Sequence, residues 1–115
     1  MSMSARNWAW DQPPELIGPT EQHVLNCLAE HENPEYGYAF PSEAVIALKT
    51  KLSRAAINRN TEKLEEKGLI RKVKHGRTSH GSFASLRYYL NVPESYRAKD
   101  VDWQKRSTKT LRAVV

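Results

Sequence analysis

Arg54, Asn58 and Arg59 stand close together in the run Ser53-Arg-Ala-Ala-Ile-Asn-Arg-Asn-Thr-Glu-Lys-Leu-Glu-Glu-Lys-Gly68. Wound as a helix with Ile57 and Leu64 inward, this run turns Arg54, Ala55, Asn58, Arg59 and Glu62 to one outer side. An asparagine amide can pair bidentately with adenine and an arginine with guanine, each worth about 1–3 kcal/mol of base discrimination; a small Ala55 lets the helix approach and can touch a thymine methyl. The plainer reading is a solvated helix face with Arg59 paired to Glu62. Ser53 suits both an N-cap and a phosphate donor at the helix N-terminus. Lys49, Thr50 and Lys51, immediately before it, are placed to grip a phosphate backbone. A second basic group, Arg71, Lys72, Lys74, His75, Arg77 and His80, surrounds Gly76 and Gly81. Its composition suits phosphate contacts or insertion of Arg77 into a minor groove, and equally a hairpin edge kept soluble by charge.

Other chemistry finds little footing. His23 and Cys27 lie four apart, but no second cysteine follows, so Cys27 is expected as a small buried residue and no metal site is expected. There is no Ser/His/Asp order, no glycine-rich phosphate cradle and no carboxylate pair with a task, and Glu65-Glu66 belongs to a helix end. Catalysis is not expected, nor is a cofactor.

Charge is unevenly spread. Through residue 41, Arg6 faces six acids; over 42–93, eleven Lys or Arg face four Glu; from 94 onward, six bases face three acids. The net +5 therefore gathers on the segments that carry the candidate residues, as docking of a polyanion would require. No run reaches the roughly 18–20 apolar residues of a membrane span, no signal-peptide stretch opens the chain, and the basic part lacks a strongly amphipathic helix, so a membrane partner is not expected. A lone cysteine and 115 residues fit one small domain in a reducing cytoplasm.

The elements that must position these residues follow from punctuation. Pro13, Pro14, Gly18 and Pro19 predict an extended arm over 1–19. Trp8 and Trp10, alternating with Ala9, would then face one side, to plug a core or to join a second copy; Trp103 raises the same question. Thr20 is a candidate N-cap for a helix over 20–31, with Val24, Leu25, Leu28 and Ala29 inward. Asn33-Pro34 and Gly37 end it, and residues 38–40 predict a short strand. Ser42 caps a helix over 43–50 that buries Ala44, Val45 and Leu48; Ser53 caps another over 54–67, ended by Gly68 in the left-handed conformation. Residues 69–75 and 85–90 predict a hairpin with a polar, flexible tip over 76–82. Pro93 closes the domain of 20–93, and 94–115 reads as a basic C-terminal tail.

From about Thr20 to Val92 the chain resembles the winged helix-turn-helix domains of small plasmid and phage replication or regulatory proteins. The resemblance rests on Phe40-Pro41-Ser42, Ser53-Arg54, Leu64-Glu65-Glu66-Lys67-Gly68-Leu69-Ile70 and Arg87-Tyr88-Tyr89-Leu90. It implies an α+β fold of three helices with a small antiparallel sheet and wing. It also implies sequence-specific double-stranded DNA binding, with a recognition helix in the major groove and the wing on the backbone or minor groove. The implied setting is a plasmid or phage replication origin, where an accessory protein would work beside a replication initiator or primase, as a homodimer on repeated half-sites. The alternatives are an operator-binding transcriptional repressor or a winged helix that binds a protein instead of DNA. Two departures from the pattern stand out. Lys51 stands where the turn usually carries glycine, and Asn60 and Thr61 fall where the pattern is apolar.

Overall fold

The computed structural model describes residues 2–77 and 83–105, with side chains for all of these except 75–77 and 83–85. Along the chain run helices α1 (Met3–Trp10) and α2 (Pro19–His31), strands β1 (Glu32–Asn33) and β2 (Tyr38–Ala39), helices α3 (Glu43–Thr50) and α4 (Arg54–Glu66), strands β3 (Ile70–Arg77) and β4 (Phe83–Leu90), and a short α5 (Glu94–Arg97). Residues 101–105 are helical as well. The sheet is antiparallel, in the order β1-β2-β4-β3. This is an α+β winged helix, with β3 and β4 forming the hairpin.

Capping chemistry sets the helix ends. Ser42 Oγ accepts from Val45 N at 3.1 Å and Ser53 Oγ from Ala56 N at 3.1 Å, each satisfying a donor that the first helical turn leaves over. α4 ends on a left-handed glycine: Gly68 (φ 76°) donates to Glu65 O at 3.0 Å and Leu69 to Leu64 O at 3.0 Å. That pair of bonds is a Schellman motif. α2 begins one residue earlier than expected. Its N-cap is Gly18, with Pro19 in the first turn and Thr20 already inside, because proline's fixed φ suits a helix start and its missing N–H is not needed there.

α2 is the central element, packed against α1, α3 and α4. Val24, Leu25, Leu28 and Ala29 are fully buried with Ile46, Ile57 and Leu64, and the sheet adds Ala39, Ile70, Tyr88 and Leu90. Cys27 is buried and unpaired by any disulfide. His23 Nε2 lies 2.9 Å from Thr50 O, tying α2 to the end of α3.

Three expectations about packing are corrected. Within residues 1–19, Met3–Trp10 is helical and not extended, begun by Ser2, whose Oγ accepts from Ala5 N at 3.4 Å. Residues two apart on a helix point about 200° apart, so Trp8 is buried while Trp10 is 68% exposed, and the two rings do not share a side. On α3 the buried residues are Ile46 and Thr50, with Ala44 exposed, Val45 half-buried and Leu48 72% exposed. Apolar residues ring this short helix, so its pattern does not single out a face. Residues 94–105 do not form a free tail either: α5 packs on α1 and carries Arg97, which is buried, as is Asp100, while the rest of the expected tail, 106–115, lies outside the described residues.

A buried polar cluster holds the two ends to the middle. Arg97 Nη1 donates to Glu32 Oε1 at 2.7 Å and Nη2 to Glu32 Oε2 at 2.9 Å, a bidentate pair, and Nη1 also reaches Ser4 Oγ at 2.9 Å. Asp100 Oδ2 accepts from Ser4 Oγ at 2.6 Å and Ser4 N at 3.0 Å. The Arg97 guanidinium lies 3.5 Å from the Trp103 ring centroid, which answers for Trp103 within its own chain. Burial alone would push the Asp100 pKa up, but the hydrogen bonds from Ser4, Trp103 N and Ser2 outweigh it and hold the carboxyl below its ordinary value.

Candidate nucleic-acid interface

The turn between α3 and α4 is three residues long, and each has a structural task. Lys51 takes the left-handed conformation (φ 65°, ψ 19°) that the missing glycine made an expectation. Its N–H donates to Ala47 O at 2.9 Å and its Nζ to Leu48 O at 2.9 Å. Leu52 is half-buried and anchors the turn, and Ser53 caps α4. Thr50 does not face outward. It is 3% exposed, its Oγ1 donates to Ile46 O at 2.7 Å and accepts from Leu52 N at 3.3 Å, so its hydroxyl is committed to the turn and lost as a phosphate donor. Lys49, Lys51 and Ser53 remain on the surface.

α4 divides cleanly. Ile57, Asn60, Thr61 and Leu64 are buried; Arg54, Ala55, Asn58, Arg59 and Glu62 are exposed, as the helical period requires. The two polar residues on the inner face are satisfied without help from α2. Asn60 Nδ2 donates to Ala56 O at 2.7 Å, and Thr61 Oγ1 donates to Asn58 O at 3.1 Å and accepts from Lys72 Nζ at 3.2 Å. Among the described residues neither Arg54 nor Arg59 has an ion-pair partner; ion pairs are formed elsewhere, by Lys67–Glu21 at 2.6 Å and Arg97–Glu32 at 2.7 Å. The expected alternative of an Arg59–Glu62 pair is not made. The outer face of α4 therefore presents two free guanidinium groups and one free amide around a small Ala55, a surface able to donate and accept at base edges.

The hairpin contributes less uniformly than its composition promised. Strand alternation places Lys72 on the helix side, where its N–H donates to Glu65 Oε2 at 3.0 Å and its Nζ meets Thr61. Lys72 thus braces α4 and is not part of an outward wing surface. Lys74 is exposed, and Arg71 lies on the opposite face, 4.8 Å over the Tyr89 ring. The backbones of His75 and Arg77 belong to β3, paired with Ser85 and Phe83; their side chains, and all of His80, lie outside the described residues.

Sequence reasoning gave one group of residues a place in the strands but no role at a surface. Tyr36, Tyr38, Phe40 and Tyr89 form an aromatic cluster on the outer side of the sheet, with Arg87 4.4 Å over Tyr38. The alternation Tyr36, Tyr38, Phe40 and Arg87, Tyr89 was the available signal.

A family model described as a helix-turn-helix domain matches residues 15–70. The match runs from the approach to α2 to the first residue of β3, so it spans the core helix, the turn and the whole of α4, and such a domain suggests DNA binding. Neither the curated proteins nor the solved structures include a significant match to this chain.

Proposed function

We propose that this protein binds double-stranded DNA sequence-selectively, laying the outer face of α4 in the major groove. Arg54, Ala55, Asn58 and Arg59 read base edges, Lys49, Lys51 and Ser53 hold phosphates on one strand, and the hairpin residues Lys74, His75, Arg77 and His80 lie along the backbone or minor groove. The observation that carries this reading is α4 itself, whose buried side holds it to α2 while Arg54, Asn58 and Arg59 stay exposed and the two arginines lack ion-pair partners among the described residues. A protein-binding winged helix would need an apolar outer side on this helix, and here it is polar and basic.

In this reading the DNA-binding unit is residues 20–93, with residues 2–19 and 94–105 bracing it. The setting we propose, from the likeness to plasmid and phage replication proteins, is a replication origin, with a homodimer on repeated half-sites working beside an initiator or primase. Trp10, 68% exposed, is the first residue to test as a dimer contact. Footprinting on the DNA upstream of the protein's own gene tests the reading. Protection of repeated short sites next to a replication gene supports it; a single site overlapping a promoter turns it toward repression; no protection at any site removes it.

A further inference from the structure

The sheet has a second face that the duplex reading leaves unused. Ala39, Tyr88, Leu90 and Ile70 point inward and are buried, so their neighbours along the strands point away from the helices. There Tyr38 lies 5.4 Å from Tyr89 across the β2–β4 pair, and Tyr36 stacks on Tyr38 at 5.9 Å with 22° between the planes. Phe40 closes the group, 5.8 Å from Tyr36 and from Tyr38. Arg87 lies 4.4 Å over Tyr38 and Arg71 4.8 Å over Tyr89.

Tyr36 is 51% and Phe40 49% exposed. Large apolar rings left in water at neighbouring positions are unfavourable for the free protein and mark a contact surface. The two arginines have no carboxylate partner among the described residues. A guanidinium stacked flat on a ring keeps its N–H edge free for an oxyanion.

We propose that this face binds single-stranded nucleic acid, with unpaired bases stacked on Tyr36 and Phe40 and phosphates held by Arg71 and Arg87. The face is a flat, open sheet surface, and every base has a π-face to offer it. A duplex cannot use it, because its base faces are already stacked. Phe40 also walls an open hollow with His31, Pro41, Ser42 and Val45, which leaves room beside a base stacked on its ring. α4 packs on the inner side of β3, so one molecule can hold a duplex on one side and an opened strand on the other. This site stands without the duplex reading, since none of its residues belongs to α4.

The test is fluorescence anisotropy of a labelled oligothymidylate of about 12 nucleotides, beside a labelled duplex, with the full chain. Wild type is expected to bind the single strand. The double variant Tyr36→Ala, Phe40→Ala should weaken that binding at least tenfold and change duplex binding less than twofold. Asn58→Ala with Arg59→Ala should leave the oligothymidylate isotherm unchanged, whatever it does to the duplex. Arg87→Gln should lower the slope of log affinity against log salt by about 0.7 on the single strand, and it decides the matter if the aromatic variant melts early. Absence of single-strand binding by wild type, an aromatic variant within twofold of it, or an unchanged salt slope for Arg87→Gln overturns the proposal.

Discussion

An exposed asparagine in the middle of a helix is a weak choice for stability, since alanine, lysine or glutamate would each favour the helix by several tenths of a kcal/mol. Asn58 sits at such a position and is exposed, and the proposed base readout would give it a use. Asn58→Ala is expected to leave the melting temperature unchanged or slightly raised while lowering discrimination between target and scrambled duplex by about 1–3 kcal/mol; competition gel shifts against both duplexes measure this. Arg59→Ala should do the same at a different base. Lys51 offers a sharper contrast because its two tasks separate. Glycine there removes a left-handed non-glycine backbone (φ 65°), which should stabilise the fold by up to about 1 kcal/mol. The same change removes a surface cation, so the duplex salt slope should fall by about one. Thermal melts and salt titrations of Lys51→Gly, run together, check both signs. The outward residues of α4 are legible in the sequence because a helix of known register assigns each residue a side. Thr50 is not, since nothing in Lys49-Thr50-Lys51 shows that the middle hydroxyl turns inward to Ile46 O.

At the scale of the element, the boundaries of α3 and α4 can be read because local chemistry decides them: Ser42 and Ser53 cap, and Gly68 terminates. Ser53→Ala should cost about 1 kcal/mol through the lost cap, visible as a lower denaturant midpoint with unchanged slope. α1 is hidden for the converse reason. An eight-residue helix is not stable alone, and Met3–Trp10 is held by contacts with α2 and α5 that no local signal announces. β1 is two polar residues, Glu32 and Asn33, and only its pairing with β2 makes it a strand. The inner side of α3 is easily misjudged because the apolar Ala44 and Leu48 are exposed while the polar Thr50 is buried beside Ile46.

Over the described residues, the segment after Pro93 is fastened to β1 through a pair 65 positions apart, Arg97 and Glu32, and sequence spacing carries no trace of such a pairing. Removing one partner strands a buried charge, so Arg97→Met should destabilise by about 3–5 kcal/mol, far more than any variant on the outer side of α4; chemical denaturation compares them. Asp100 adds a pH dependence whose sign is fixed by its lowered folded pKa. Its contribution is present above the ordinary aspartate range near 3.9 and is lost as pH falls through the folded value. Acid titration of Asp100→Asn should therefore show a shallower loss of stability below about pH 4 than wild type. The role proposed for α4 is to present its exposed Arg54, Asn58 and Arg59 to a duplex. The most direct measurement of that role is selection of binding sites from a pool of randomised duplexes. Wild type should enrich a defined short motif, and Asn58→Ala and Arg59→Ala should each blur the preference at particular positions of it. Enrichment of no motif by the wild-type protein, or of the same motif undimmed by both variants, contradicts the account.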